Sequence, residues 1–127
     1  MGKALAVQGC TLTISSGGSG PPPTVTGTPS SDISVGGKGV FFKEIQFSVS
    51  GVTAGDIGYA DGQGTGSISG TGENVLSSGD KAVLEDDESE LITVNGTKPG
   101  PNGSILPASG QIKVKVQDAG QSDVIAL

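Results

Sequence analysis

The chain lacks several side chains on which catalysis and ligand binding commonly depend. Its 127 residues include no histidine, no arginine and no tryptophan, and cysteine occurs once, as Cys10. Without histidine there is no imidazole general base, no Ser-His or Cys-His nucleophile pair, and no imidazole zinc ligand. Without arginine, no bidentate clamp on phosphate or carboxylate can form. We therefore expect a protein that is not an enzyme and has no catalytic, cofactor-binding or metal-binding residues.

Charge and hydropathy exclude further classes of partner and location. Thirteen acidic residues against seven lysines give a formal net charge of −6, which disfavours nucleic acid because that ligand needs a basic surface. The segment MGKALAVQG is too short for a signal-peptide core, and Ala6 stands where a myristoylation signal needs Ser or Thr. No apolar stretch reaches the length of a membrane-spanning helix. We expect a protein made in the cytoplasm without a signal peptide and assembled into a larger particle.

Glycine and proline are abundant instead, with 23 and 7 residues. Such a composition is often disordered, but here Val, Ile and Leu occur in short blocks and charged residues are sparse. No segment shows the 3.6-residue periodicity of an amphipathic helix. The sequence therefore predicts a single all-β domain over residues 1–127, made of short antiparallel hairpins with glycine-rich turns.

Individual segments allow more specific predictions. EIQFSVSG (residues 44–51) alternates apolar and polar side chains and predicts a half-buried strand. QIKVKVQ (residues 111–117) alternates as strongly, and we expect it at an exposed or shared sheet edge. Residues 15–23 predict a Gly/Ser/Pro loop or linker, residues 51–66 a glycine-rich loop, and residues 96–110 a Pro/Gly-rich loop.

An internal echo accompanies these strands. Gly27–Phe41 aligns without gaps on Gly70–Leu84, with Gly-Thr at the start and a shared Gly-x-Lys-x-Val after Ser34 and Ser77. Each copy predicts a hairpin of strand, glycine-containing turn and strand. Repeat architectures reuse such a unit because a single hairpin cannot bury its own apolar face.

Three features admit both a functional and a purely structural interpretation. The acidic run Glu85–Glu90 could bind a hard cation, but successive acids on a strand point to opposite faces, which favours a charged cluster that also guards a sheet edge. Asp56 and Asp61 could pair for acid–base work or bind calcium, but their glycine-rich surroundings favour turn-forming roles. Cys10, in an apolar strand-like stretch, is interpreted as a small buried hydrophobe rather than a ligand or reactive thiol.

Three segments, KALAVQGCTLTIS, SSDISVGGKGVFF and SGDKAVLEDDES, together resemble the PAAR and PAAR-like proteins. These proteins cap the spike of contractile injection machines such as phage tails and type VI secretion systems. The resemblance covers roughly residues 1–94 and implies a cone of short hairpins whose base sits on a trimeric β-helical spike and whose point meets the target envelope. PAAR tips typically hold a metal through histidines and a cysteine. This chain offers only Cys10, so the resemblance implies no metal site here.

The sequence thus leads to a structural role in a phage or phage-like contractile machine. The first hypothesis is a PAAR-like spike-tip or baseplate cap whose partners are proteins of that assembly. A second is a capsid or tail decoration domain folded as a compact β-sandwich. A third is a surface- or carbohydrate-binding module, which the shortage of aromatic side chains disfavours, since the chain has one Tyr and three Phe.

Overall fold

The computed structural model describes residues 3–29, 34–77, 80–121 and 125–126, and it confirms the predicted all-β class. Within those residues the regular structure is thirteen strands and one short 3-10 turn, Pro101–Gly103. The strands are β1 (Lys3–Ala4), β2 (Thr11–Ser16), β3 (Gly18–Ser19), β4 (Thr24–Val25), β5 (Ser34–Val35), β6 (Lys38–Gly39), β7 (Glu44–Ala54), β8 (Gly62–Ser69), β9 (Gly72–Ser77), β10 (Asp80–Ala82), β11 (Ile92–Pro99), β12 (Ile105–Asp118) and β13 (Ile125–Ala126).

The long strands form one curved antiparallel sheet in the order β2, β12, β11, β8, β7, β3, with β4 also paired to β7. β2 and β3 stand at opposite ends of this order, yet only Gly17 separates them in the chain. The two ends of the sheet are therefore brought together, and the sheet forms a nearly closed barrel. Its interior is filled by aliphatic side chains and two aromatic rings, among them Leu12, Phe41, Ile45, Phe47, Val52, Ile68, Val94, Ile112, Val114 and Val116.

β7 shows how the alternating pattern builds this wall. Ile45, Phe47 and Val49 are buried, whereas Gln46 and Ser50 are exposed, which confirms the half-buried strand predicted for residues 44–51. A register shift between Val49 and Val52 then lets the strand continue to Ala54. The loop predicted for residues 51–66 is consequently shorter than expected, because β7 ends at Ala54 and β8 begins at Gly62.

The expectation that QIKVKVQ forms a sheet edge is wrong. β12 lies inside the sheet, paired with β2 on one side and with β11 on the other. Ile112, Val114 and Val116 are fully buried in the barrel. The lysines at alternate positions make one face of the segment polar. Such alternation indicates which face of a strand is buried, but it does not indicate whether the strand has neighbours on both sides.

Two predicted loops also turn out to contain strands. Residues 96–110 form most of a long hairpin in which Pro99 pairs with Ile105 and Thr97 with Pro107. We call residues 97–107 the arm. Within residues 15–23, Ser16 ends β2 and Gly18–Ser19 forms β3, so only the stretch after Ser19 is irregular before β4. Glycine and proline frequency alone suggested loops, but both residues occur on strand edges and at close approaches.

Among the described residues, three two-stranded ribbons lie outside the barrel sheet: β1 with β13, β5 with β6, and β9 with β10. The β5–β6 ribbon is the predicted hairpin, with Gly36-Gly37 at its turn. Residues 30–33 of this first repeat copy lie outside the described residues. The β9–β10 ribbon is the hairpin of the second repeat copy, so the repeat is confirmed as a pair of hairpins.

Gly17 permits the corner at which the sheet closes. Its φ is +87°, and a Cβ built there would lie 2.2 Å from the carbonyl oxygen of Gln111 on β12. Gly110, farther along β12, faces the end of β7 at similarly close range, since its Cβ would lie 2.5 Å from the carbonyl carbon of Ala54. Backbones at such separations leave no room for a side chain, so glycine is required at this corner.

Gly17→Ala should destabilise the fold much more than Gly9→Ala. The two glycines have nearly equal φ, +87° and +93°, but a Cβ at Gly9 would meet no atom within 4 Å. Both substitutions incur backbone strain of about 1–2 kcal/mol, and Gly17→Ala adds roughly 1–3 kcal/mol for the steric overlap. Urea unfolding of the two variants measures the difference, and equal midpoints would show that the corner can open without cost.

Candidate functional site

A ring of three backbone hydrogen bonds joins three segments that are distant in sequence. The N–H of Ala6 donates to the carbonyl of Val83 at 2.8 Å, Val83 donates to Phe41 at 2.9 Å, and Phe41 donates back to Ala6 at 3.0 Å. Each residue therefore gives one bond and receives one, in a closed cycle. We call the segments 4–8, 39–43 and 81–85, which carry these residues, the junction.

The neighbouring residues repeat the same three-fold pattern. One step from the ring, each segment forms a bridge to the next: Val7 with Val40, Phe42 with Ala82, and Leu84 with Leu5. Two steps from the ring, three more N–H groups donate to carbonyls, now in the opposite sense around the three segments, with lengths of 2.8–2.9 Å: Gln8 to Gly39, Lys43 to Lys81, and Glu85 to Ala4. The junction thus has an internal pseudo-three-fold axis within a single chain.

Strand alternation gives the junction two apolar faces. Ala6, Phe41 and Val83 point into the barrel core and close its end. The residues that flank them point the other way and form a second, separate cluster. That cluster consists of Leu5, Val7, Val40, Ala82 and Leu84, with Val35 and Phe42 packed against it. The junction is therefore a layer between two cores, one inside the barrel and one among the ribbons.

Each junction segment continues directly from one of the ribbons. Lys3, Lys38 and Asp80 stand three residues before the ring residues Ala6, Phe41 and Val83, and each has a partner in its own ribbon. The three-fold pattern consequently extends from the ring into the ribbons. Sequence reasoning located this arrangement only in part.

The internal echo found two of the three copies, with a shift of one residue. Alignment placed Val40 opposite Val83, 43 residues apart, whereas the hydrogen-bond ring makes Phe41 the equivalent of Val83. The third copy is the segment around Ala6. Its signal was the recurrence of Lys, a small residue and an aliphatic residue in Lys3-Ala4-Leu5, which matches Lys38-Gly39-Val40.

A cavity of about 380 Å³ opens beside the junction. Its wall is mostly apolar and includes Leu12, Pro23, Val25 and Phe41, with Cys10 at one side. No charged side chain lines it. Nothing in this lining pairs a nucleophile with a base, so the cavity suggests packing or a small apolar ligand rather than acid–base chemistry.

The acidic run proves more ordered than a solvated cluster. It precedes β11 and extends the pairing along β12 beyond the point where β11 begins: Ser89 donates to Val114 at 2.7 Å, and Val116 donates to Asp87 at 2.9 Å. Asp87 is buried, and its carboxylate accepts bonds from the N–H of Leu84 at 2.8 Å and the hydroxyl of Thr71 at 2.6 Å. The run thus covers an edge of β12, which agrees with the edge-guarding interpretation.

The two loop aspartates take separate partners. The carboxylate of Asp56 lies 3.9 Å from the Lys98 ammonium. Asp61 accepts a bond of 2.9 Å from the N–H of Thr97 and a second bond from the Thr97 hydroxyl. Asp61 therefore fastens the loop between β7 and β8 to the base of the arm. Within the described part of the chain, no three Cys, Asp or Glu residues gather as metal ligands would.

Cys10 is buried against the barrel core, as the sequence interpretation predicted. Burial raises the pKa of its thiol to about 11, although a backbone hydrogen bond at Cys10 opposes part of that shift and the charge of Asp118 adds to it. The thiolate is the reactive form of cysteine. An elevated pKa together with burial makes this thiol unreactive in the folded protein.

Acid should weaken the hydrogen bonds between Thr97 and the Asp61 carboxylate. The hydroxyl and N–H of Thr97 lower the pKa of this carboxyl in the folded protein. The ionised Asp61 therefore stabilises the fold above the unfolded-state pKa, and this stabilisation is lost as pH falls through the folded-state pKa. In Asp61→Asn the free energy of unfolding should therefore decline less between about pH 4 and pH 2 than in the parent protein. Urea titrations across this range measure it, with Asp56→Asn as the control.

The Cys10 thiol should react slowly until the protein unfolds. With a pKa of about 11, only about one thiol in a thousand is ionised at pH 8. Reaction with a disulfide reagent should therefore be many-fold slower in the native protein than in guanidinium chloride. Equal rates in the two states would contradict the buried placement of Cys10.

Comparison of the chain with protein-family models, with curated proteins and with solved structures finds no match. Within the described residues, no helix is long and apolar enough to cross a membrane. Function must therefore be argued from the geometry of the chain itself. The feature that stands out in that geometry is the pseudo-three-fold junction with its three ribbons.

Proposed function

We propose that this chain is a non-enzymatic structural cap of a phage or phage-like contractile machine, seated on the end of a three-fold symmetric spike. One observation carries the proposal: the closed ring of hydrogen bonds through Ala6, Phe41 and Val83. A single chain on the axis of a trimer meets three identical surfaces at once. It can bind all three in the same way only if it presents three similar faces.

The three ribbons supply such faces. They surround the second apolar cluster on the side of the junction that faces away from the barrel, and each leads into one ring strand. Lys3 and Lys38 occupy three-fold related positions on two ribbons, and both are exposed. The end that carries the ribbons is therefore the end that we assign to the spike.

Strand directions place the arm at the other end of the barrel. β7 starts at Glu44, next to the junction, and ends at Ala54, beside Ser109 and Gly110. β12 runs the opposite way, from the arm at Ile105 back to Asp118. Seated by its ribbons, the cap would hold the barrel and the arm away from the spike.

The rigid parts of the fold suit a cap that transmits force. The ring and its flanking bonds tie three distant segments by six short backbone bonds, and buried backbone groups that lose a partner cost roughly 1–3 kcal/mol each. Two apolar cores above and below the ring resist its distortion. This is the role implied by the resemblance to PAAR-like proteins, here supported by the chain's own symmetry.

Stoichiometry tests the proposal. Particles that carry the chain with an epitope inserted at the exposed turn residue Asn102 should bind a single gold-labelled antibody at one end. Native mass spectrometry of the released spike should give one cap for three spike subunits. Many labels along the shell would favour the decoration hypothesis, and glycan binding by a chain that joins no particle would favour the carbohydrate module.

A charge reversal separates the ribbon end from the arm end. Lys38→Glu, on the exposed β5–β6 ribbon, should reduce the amount of cap retained on purified particles, while Lys98→Glu makes the same charge change at the arm and should not. Both variants should keep the parent circular dichroism spectrum. Equal retention of the two would contradict docking by the ribbons.

A further inference from the structure

The arm combines large exposed aliphatic side chains with a stiff tip. Ile105 is 65% exposed and Leu106 is 38% exposed, whereas the aliphatic residues of β12 nearer the junction are buried. At the tip, Gly100 donates to the carbonyl of Ser104 at 2.8 Å, and both the N–H and the hydroxyl of Ser104 donate back to Pro101. The apolar groups are thus held in place rather than carried on a loose loop.

Two prolines remove backbone donors from the outer edges of the arm. The N–H of Thr97 bonds to Asp61 and its carbonyl accepts from Gly58, so the backbone of Thr97 faces away from β12. Thr97 is therefore in a non-hydrogen-bonded pair with Pro107, and the next such pair is Pro99 with Ile105. The nitrogens of Pro99 and Pro107 consequently point outward, where an ordinary residue would expose an unpaired N–H.

This edge chemistry excludes strand addition as the way in which the arm is recognised. A partner strand needs a row of outward N–H and C=O groups, and proline interrupts that row on both sides of the arm. A second copy of the chain is disfavoured as well. Stable protein interfaces use roughly 20–30 residues a side, and the arm tip offers five apolar ones.

The arm beyond Lys98 is free of charge. From Pro99 to Ile112, fourteen successive residues contain no acidic or basic side chain, although the whole chain carries twenty. An uncharged tip that is followed by exposed aliphatic side chains and lacks outward N–H donors at two positions incurs less desolvation on entering a low-dielectric medium than an ordinary hairpin. These are the properties that suit insertion into the boundary between lipid headgroups and acyl chains.

We propose that the arm inserts tip first into the interface of a lipid bilayer, with Ile105 and Leu106 entering directly behind the turn Pro101–Gly103. The partner is the lipid surface itself, recognised by apolar burial rather than by charge. The net charge of −6 means that anionic lipid should not strengthen binding. This inference concerns the isolated chain and does not depend on docking to a trimeric spike.

Because the chain has no tryptophan, a single introduced indole reports its own surroundings. Ile105→Trp places the probe at the arm tip, and Thr93→Trp places a control on the exposed face of β11 below the arm. With phosphatidylcholine vesicles, the Ile105→Trp emission should shift to shorter wavelength, and acrylamide quenching should fall roughly twofold. Brominated lipids should quench this probe and leave Thr93→Trp unchanged.

Adding Leu106→Asp to Ile105→Trp should abolish the shift, with an unaltered circular dichroism spectrum showing that the fold is kept. Vesicles containing phosphatidylserine should give no stronger effect. The inference is overturned by an unshifted Ile105→Trp spectrum at saturating lipid, or by equal shifts at Thr93. A shift that follows protein concentration without lipid would assign the arm to a second copy instead.

Discussion

The hydrogen-bond cycle through Ala6, Phe41 and Val83 is the constraint on which the remaining structure depends. It fixes three segments in one plane, and alternation along each segment then sends side chains to both sides of that plane. The barrel needs this layer because Ala6, Phe41 and Val83 close its end. The ribbons need it because the second apolar cluster forms on its opposite face. Breaking one bond of the cycle would loosen both cores, since each bond is shared between two segments.

The two ends of the molecule differ both in their architecture and in their charge. One end has a pseudo-three-fold symmetry and exposed lysines, and the other has an arm that is uncharged beyond Lys98 and carries exposed aliphatic side chains. Long strands such as β7 and β12 connect the two ends without interruption. The glycines at the barrel corner allow this compact wall because backbones cross there at distances that exclude a side chain. A rigid body with two unlike ends is well suited to a position between two different partners.

The sequence predicted local secondary structure better than it predicted which strands pair with each other. Alternation in residues 44–51 identified β7, and Gly36-Gly37 identified a hairpin, because both signals are local. The same alternation led to a wrong prediction for residues 111–117, which were expected at a sheet edge. The partners of β12 are distant in sequence, with β2 about a hundred residues away and β11 about twenty residues away. The proline-rich stretch became an arm because Pro99 and Pro107 fall at outward-facing positions, which depends on register. The third junction copy, around Ala6, escaped notice because it has no preceding glycine turn in its own ribbon.

The pairing of β1 with β13 has a consequence for how the chain is made. Lys3 and Ala4 leave the ribosome well before their partners Ala126 and Ile125, which follow them by more than 120 residues. The arm hairpin and the β5–β6 ribbon join residues close in sequence and can form early, whereas the ribbon of β1 and β13 must wait until Ile125 and Ala126 have been synthesised. Until then, Leu5 and Val7 lack part of their cover, so a nascent chain exposes the apolar surface that the finished fold buries.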